Sequence, residues 1–128
     1  MTYEKQYLKR FMDNSAILSN MLCQLDLENY FDRKNKQAKH AYDKNCLVPI
    51  KIGRLTILLT EREAHCALLS IFGYTSKQIA KLMILSPRTV EHYIVCIKKK
   101  FYIQTRSELI ITLLQSDFVH NMIDLINK

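Results

Sequence analysis

Along residues 86–101, SPRTVEHYIVCIKKKF, apolar side chains fall at Val90, Ile94, Ile97 and Phe101, at steps of four, three and four. That spacing lines one face of an α-helix. Ser86 can accept a hydrogen bond from a free backbone N–H, and Pro87 lacks the N–H that a first helical position leaves unused. A helix opening at Ser86 is therefore predicted. Its far side carries Arg88, Glu91, His92, Val95 and Lys99.

Similar punctuation recurs on either side. Thr60-Glu61-Arg62-Glu63 reads as a capping box opening a helix with Ala64, Ala67, Leu68 and Ile71 on its apolar face, and Gly73 follows as a C-terminal cap. Thr75-Ser76-Lys77-Gln78 offers a second box before Ile79, Ala80 and Met83. TRSEL, 105–109, restarts a helix at Ser107, with apolar content running to about residue 126. These caps and stripes predict that 54–115 folds alone as a helical unit.

The N-terminal half is less regular. Residues 3–30 read as a helix with Leu8, Phe11, Leu18, Leu22 and Leu25 at heptad-like steps, suited equally to packing on its own domain or to pairing with a second copy. Residues 32–45 are polar and basic, a linker or a solvated continuation of that helix. CLVPIKIGRLTILL, 46–59, is aliphatic and β-branched, which suggests extended chain with a short hairpin turning near Gly53. Two Gly and two Pro in 128 residues leave little for an all-β fold. The fold class expected is all-α, with a helical extension and basic linker over 1–45 and a helical domain over 46–128.

Charge sharpens this picture. The net charge is +7, distributed as +3 over residues 1–53, +6 over 54–106 and −2 over 107–128. A positive field centred on the helix at 86–101 suits a polyanionic partner, although a solvated lysine-rich surface carries the same signature. Cys23, Cys46, Cys66 and Cys96 include no C-x-x-C pair. His92 and Cys96 stand one turn apart but have no neighbouring ligands in sequence, so free thiols in a reducing cytoplasm and no metal are expected. The polar N-terminus does not resemble a signal peptide, and polar residues interrupt the apolar C-terminal run, so no membrane span is expected.

Two short helices joined by a tight turn, the second longer and polar outside, form a helix-turn-helix arrangement. Ala80 is small where the helices would approach, and Ile79, Met83, Leu85 and Val90 would share one core. The segments LTERE, GYTSKQIA, SPRTVEHYI and RSELI resemble the DNA-binding domain of LuxR/FixJ-type bacterial transcriptional regulators, over about residues 59–115. The resemblance implies a four-helix domain, its third helix reading DNA and its fourth contributing to dimerisation. It further implies phosphate contacts from Lys77, Thr89 and Tyr93, the last standing where the family usually has His. Glu91, His92 and Val95 fall at groove-facing positions, Lys99 and Lys100 near the backbone beyond the bases. Arg88 joins them on the exposed face. Glu63, Ile79, Val90, Ile97 and Leu109 match structural positions. The sequence departs from the pattern at Ile84, where Gly is common, at Val95 and Cys96, where polar residues are usual, and at Phe101-Tyr102, which replace Leu-Gly.

The expected protein is thus a sequence-specific double-stranded-DNA-binding transcription regulator with residues 86–101 in the major groove. A homodimer through the C-terminal helix, with the N-terminal helix as a second contact, is expected, and RNA polymerase is a further candidate partner. The first 58 residues match neither a phosphoacceptor receiver nor an acyl-homoserine lactone sensor, so a stand-alone regulator or the remnant of a longer one is expected. A promoter-recognising sigma-factor region is the nearest alternative among binding modules, and PRTVEHY followed by RSELI favours the LuxR-type reading. From another class, the chain would be a helix-turn-helix-derived protein-interaction module that binds another regulator rather than DNA, for which Val95 and Cys96 on the outer face speak. No phosphate loop, nucleophile motif or metal constellation suggests an enzyme or a cofactor.

Overall fold

A computed structural model describes residues 27–36 and 47–126. The heptad-like run of residues 3–25 and the remainder of the basic linker lie outside the described residues. Six helices and one hairpin follow in the order α1 (Leu27–Lys36), β1 (Leu47–Ile52), β2 (Leu55–Thr60), α2 (Glu61–Ile71), α3 (Ser76–Met83), α4 (Pro87–Lys100), α5 (Arg106–Leu114) and α6 (Phe118–Ile126).

The fold is mostly helical with a hairpin, which corrects the all-α expectation. Scarce Gly and Pro argue against many turns, but a single two-residue loop needs only one permissive position. Gly53 supplies it at φ 58°, and β1 and β2 pair antiparallel with Val48 opposite Leu59 and Ile50 opposite Ile57. Val48, Ile50 and Leu59 are buried against the helices. Side chains occupy both outer edges of the pair. On β1, Pro49 lacks an N–H, Asn121 Nδ2 donates to its carbonyl at 2.9 Å, and the Lys51 N–H donates to Asp117 Oδ1 at 2.8 Å. On β2, Lys100 Nζ donates to the Leu58 carbonyl at 3.1 Å. Edges closed in this way are poor templates for further strands.

Helix α2 is the axis of the molecule. Both halves of the Thr60–Glu63 capping box form, at 3.2 and 2.9 Å. At its other end, Gly73 takes φ 88°, its N–H donates to Ser70 O at 3.1 Å, and the Tyr74 N–H donates to Leu69 O at 3.0 Å. This is the paired bonding of a Schellman ending, which needs the left-handed region that Gly enters at no steric penalty. Every residue from Ala64 to Ser70 is buried.

The helix at 27–36 continues into the stretch that reads as a linker or solvated helix. It is amphipathic rather than merely solvated. Leu27 and Phe31 belong to the same core as Leu68, Ile79 and Ile97. Lys34 pairs with the buried carboxylate of Glu61 at 2.6 Å, Tyr30 Oη lies 3.0 Å from His65 Nε2, and Asn35 Nδ2 donates to Leu82 O at 2.9 Å. Helix α1 thus fastens α2 to the end of α3.

The C-terminal half corrects one expectation. Helix α5 is capped by Thr105, whose side chain accepts from the Glu108 N–H at 3.1 Å, not by Ser107. Leu109 and Leu113, one turn apart, are both fully buried. Much of the apolar run after 107 is used within the chain: Phe118, Val119 and Met122 are fully buried, with α6 returning beside β1 and α2. These buried residues complete the core, which extends beyond 54–115 in both directions. Among the described residues, no helix is long and apolar enough to cross a membrane.

Candidate nucleic-acid interface

Helices α3 and α4 meet across Ile84-Leu85. The second capping box closes at Thr75 and Gln78, with bonds of 3.3 and 2.9 Å, and fixes where α3 begins. Ile84 ends it in the left-handed region, at φ 53° and ψ 55°, and the Leu85 N–H donates to Ala80 O at 2.9 Å. The turn keeps the backbone that Gly would favour although a β-branched residue occupies it, and the Ile84 side chain is 73% exposed. Ser86 then caps α4, accepting from the Thr89 N–H at 3.1 Å, with Pro87 as its first residue.

The two faces of α4 separate as its pattern predicts. Val90, Ile94, Ile97 and Phe101 are buried; Arg88, Glu91, His92, Val95 and Lys99 are exposed. At about 100° per residue, Arg88, His92, Val95 and Lys99 lie within about 60° of one another, opposite the core stripe. Glu91 borders them and is the only carboxylate in the sequence between Glu63 and Glu108. Lys77 is exposed on the first turn of α3. Lys81, one turn on and also exposed, extends that basic row. Its i, i+4 spacing from Lys77 was the available signal, and no motif drew attention to it.

The remaining expected residues are placed differently. Thr89 is half-buried with Oγ1 2.8 Å from Ser86 Oγ, so its hydroxyl is engaged in the cap. Tyr93 is half-buried against the core. Lys100 turns inward: its Nζ lies 2.7 Å from Glu63 Oε1, besides donating to Leu58 O. Lys98 Nζ reaches Gln104 O at 3.4 Å. Three lysines in the last turn of α4 also complement the partial negative charge of a helix C-terminus. Beyond it, Tyr102 takes φ 57° and is 94% exposed, with its N–H and that of Ile103 closing another Schellman ending on Lys99 O and Lys98 O at 3.2 and 3.0 Å.

Behind the interface, Arg106 ties α5 to the end of α2, donating to Ser70 Oγ at 3.0 Å and to Tyr74 O at 2.7 Å. Burial lowers the His65 pKa to about 3, assisted by Lys34, so this imidazole is neutral at physiological pH. Burial likewise pushes the Cys66 thiol up to about 12, with Glu63 adding to the effect. These groups stabilise the frame and offer no chemistry to a ligand. Among the described residues, no group of three or more His, Cys, Asp or Glu could hold a metal ion.

A short helix, a tight turn and a longer helix whose outward stripe is cationic and polar define a helix-turn-helix unit of the DNA-binding class. Residues 58–113 match the family described as bacterial regulatory proteins, luxR family, and this segment is a LuxR-family helix-turn-helix DNA-binding domain. Its presence implies DNA binding and transcription regulation. Helix α1, strand β1 and helix α6 lie outside the matched residues. No curated protein and no solved structure matches the chain.

Proposed function

We propose that the chain binds double-stranded DNA sequence-specifically by laying α4 in the major groove. The observation that carries this is the outward stripe Arg88–Glu91–His92–Val95–Lys99 on a helix whose other face is locked into the core. A major groove about 12 Å wide admits one helix, and its base edges present distinct donors and acceptors. Glu91 would accept from a cytosine amino group, His92 would meet a purine edge, and Val95 would contact a thymine methyl. Arg88, Lys99, Lys77 and Lys81 would hold phosphates, supplying affinity and salt dependence. Thr89 and Tyr93 would contribute at the helix margin. Lys100 is the weakest of the expected contacts, since binding phosphate would draw it from Glu63. Residues 46–128 would form the DNA-binding domain, with 1–45 as an extension whose α1 buttresses it. A homodimer would use the outer side of α5, where Ile111 is 48% exposed.

Selection of binding sites from random duplex DNA tests the proposal. One recurrent sequence is expected, broadened by Glu91→Ala and His92→Ala. An unenriched pool from the folded protein would overturn it. Val95, 41% exposed on the outer face, is the observation favouring an interaction module, which would bind a partner regulator independently of salt and retain no DNA.

A further inference from the structure

Two residues other than glycine take positive φ among the described residues, Ile84 at 53° and Tyr102 at 57°, and they bracket α4. Ile84 ends α3 and lines a cleft between α1 and α3. Tyr102 follows the last turn of α4, is 94% exposed, and its hydroxyl makes no hydrogen bond among the described residues. A tyrosine in the left-handed region is strained, and a ring left in solvent recovers none of that cost by burial. Folding alone therefore does not account for the residue. Its place on the chain does suit an anion. The outward stripe Arg88–His92–Val95–Lys99 advances by four, three and four, and a further step of three reaches Tyr102 at the helix end. Lys98 and Lys99 precede it, and the next carboxylate in sequence, Glu108, is turned to the Gln104 N–H at 3.5 Å. The Tyr102 N–H donates to Lys99 O at 3.2 Å, which fixes its backbone to the end of α4.

We propose that Tyr102 is a further DNA-contacting residue, its phenol donating to a backbone phosphate at the edge of the groove that α4 occupies. This rests on the proposed function and extends it beyond the helix. The 14 residues of α4 span about 21 Å at about 1.5 Å per residue, more than the groove's width of about 12 Å. A helix seated there passes the bases and brings its last turn to a bordering strand of phosphates. Tyrosine is among the side chains that donate to phosphate oxygens, and such contacts fix register rather than read sequence. The strain at Tyr102 is then retained for binding, at the expense of stability.

The test uses the full chain and a duplex recovered by site selection. Tyr102→Gly should raise Tm yet weaken duplex binding about threefold to tenfold, the range of one hydrogen bond. A residue acting only through the fold would move both in the same direction. Tyr102→Phe keeps the ring and the strained backbone, and should lose most of that affinity with Tm unchanged. A phenol displaces no counterion, so both variants should keep the parent's salt slope, whereas Lys99→Ala lowers it. Ethylation interference should mark one phosphate in the parent that no longer matters in Tyr102→Phe. If the parent retains the duplex and both variants bind it equally well, the contact is overturned and the exposed ring falls to a protein partner. Weakening by Tyr102→Gly alone, with Tyr102→Phe equal to the parent, would also overturn the donated hydrogen bond. A folded parent that retains no duplex removes the proposed function and this contact together.

Discussion

Tyr102 occupies a left-handed position that favours glycine, and its side chain is 94% exposed at φ 57°. An L-residue in that region costs about 1–2 kcal/mol. Replacing it with Gly removes that strain and, because the ring is almost wholly in solvent, sacrifices little burial. The opposing effect is the greater freedom of the unfolded chain with Gly, about 0.4–1 kcal/mol. Tyr102→Gly is therefore expected to stabilise the fold by about 0.5–1 kcal/mol, raising Tm by about 2–8 °C for a domain of this size. Gly73 provides the reciprocal measurement. It sits at φ 88° with nothing within 4 Å of an added Cβ, so Gly73→Ala introduces backbone strain without a clash. It should lower stability by about the same 0.5–1 kcal/mol. Thermal unfolding followed by circular dichroism reads both changes. A Tm that falls for Tyr102→Gly, or is unmoved by Gly73→Ala, would refute the assignment of left-handed strain to these helix ends.

Three further outcomes follow from the packing and charge placement. Phe31 is fully buried between α1 and α2, and Phe31→Ala should destabilise by about 3–5 kcal/mol in urea unfolding, whereas an effect below about 1 kcal/mol would show that α1 is not part of the core. Lys77→Ala and Lys99→Ala should each reduce the log–log salt slope of duplex binding by about 0.9, while Lys100→Ala should instead lower folding stability by about 1 kcal/mol, since buried Glu63 loses its cation but keeps the Thr60 N–H. His65, with its pKa lowered from 6.5 to about 3, stays neutral in the fold while the unfolded chain takes up a proton, so its contribution to stability is complete above about pH 6.5 and is lost as pH falls toward 3. Denaturation midpoints should show the parent losing stability relative to His65→Phe as pH falls from about 6.5 toward 3; parallel curves would dismiss His65 as the source.

What could be read along the chain was whatever depends on residues three or four apart. Thr60 with Glu63, Thr75 with Gln78 and Ser86 with Pro87 place three helix starts, because a cap and its backbone partner are neighbours in sequence. Val90, Ile94, Ile97 and Phe101 likewise reveal the buried side of α4, and hence its outward stripe. Ambiguity began where two local answers were equally good. Thr105 and Ser107 are both capping hydroxyls, and it is Thr105 that accepts from the Glu108 N–H. The aliphatic run at 47–59 became a hairpin because its alternate residues found helices to cover them. Long-range partners were out of reach. Lys100 looked like another cation for phosphate, yet Glu63, 37 positions earlier, draws it inward, and that Phe118 and Met122 are buried follows only from α6 closing over β1 and α2. Spacing along a helix reports which residues share a face, whereas the charge or surface that face meets comes from segments folded in from elsewhere.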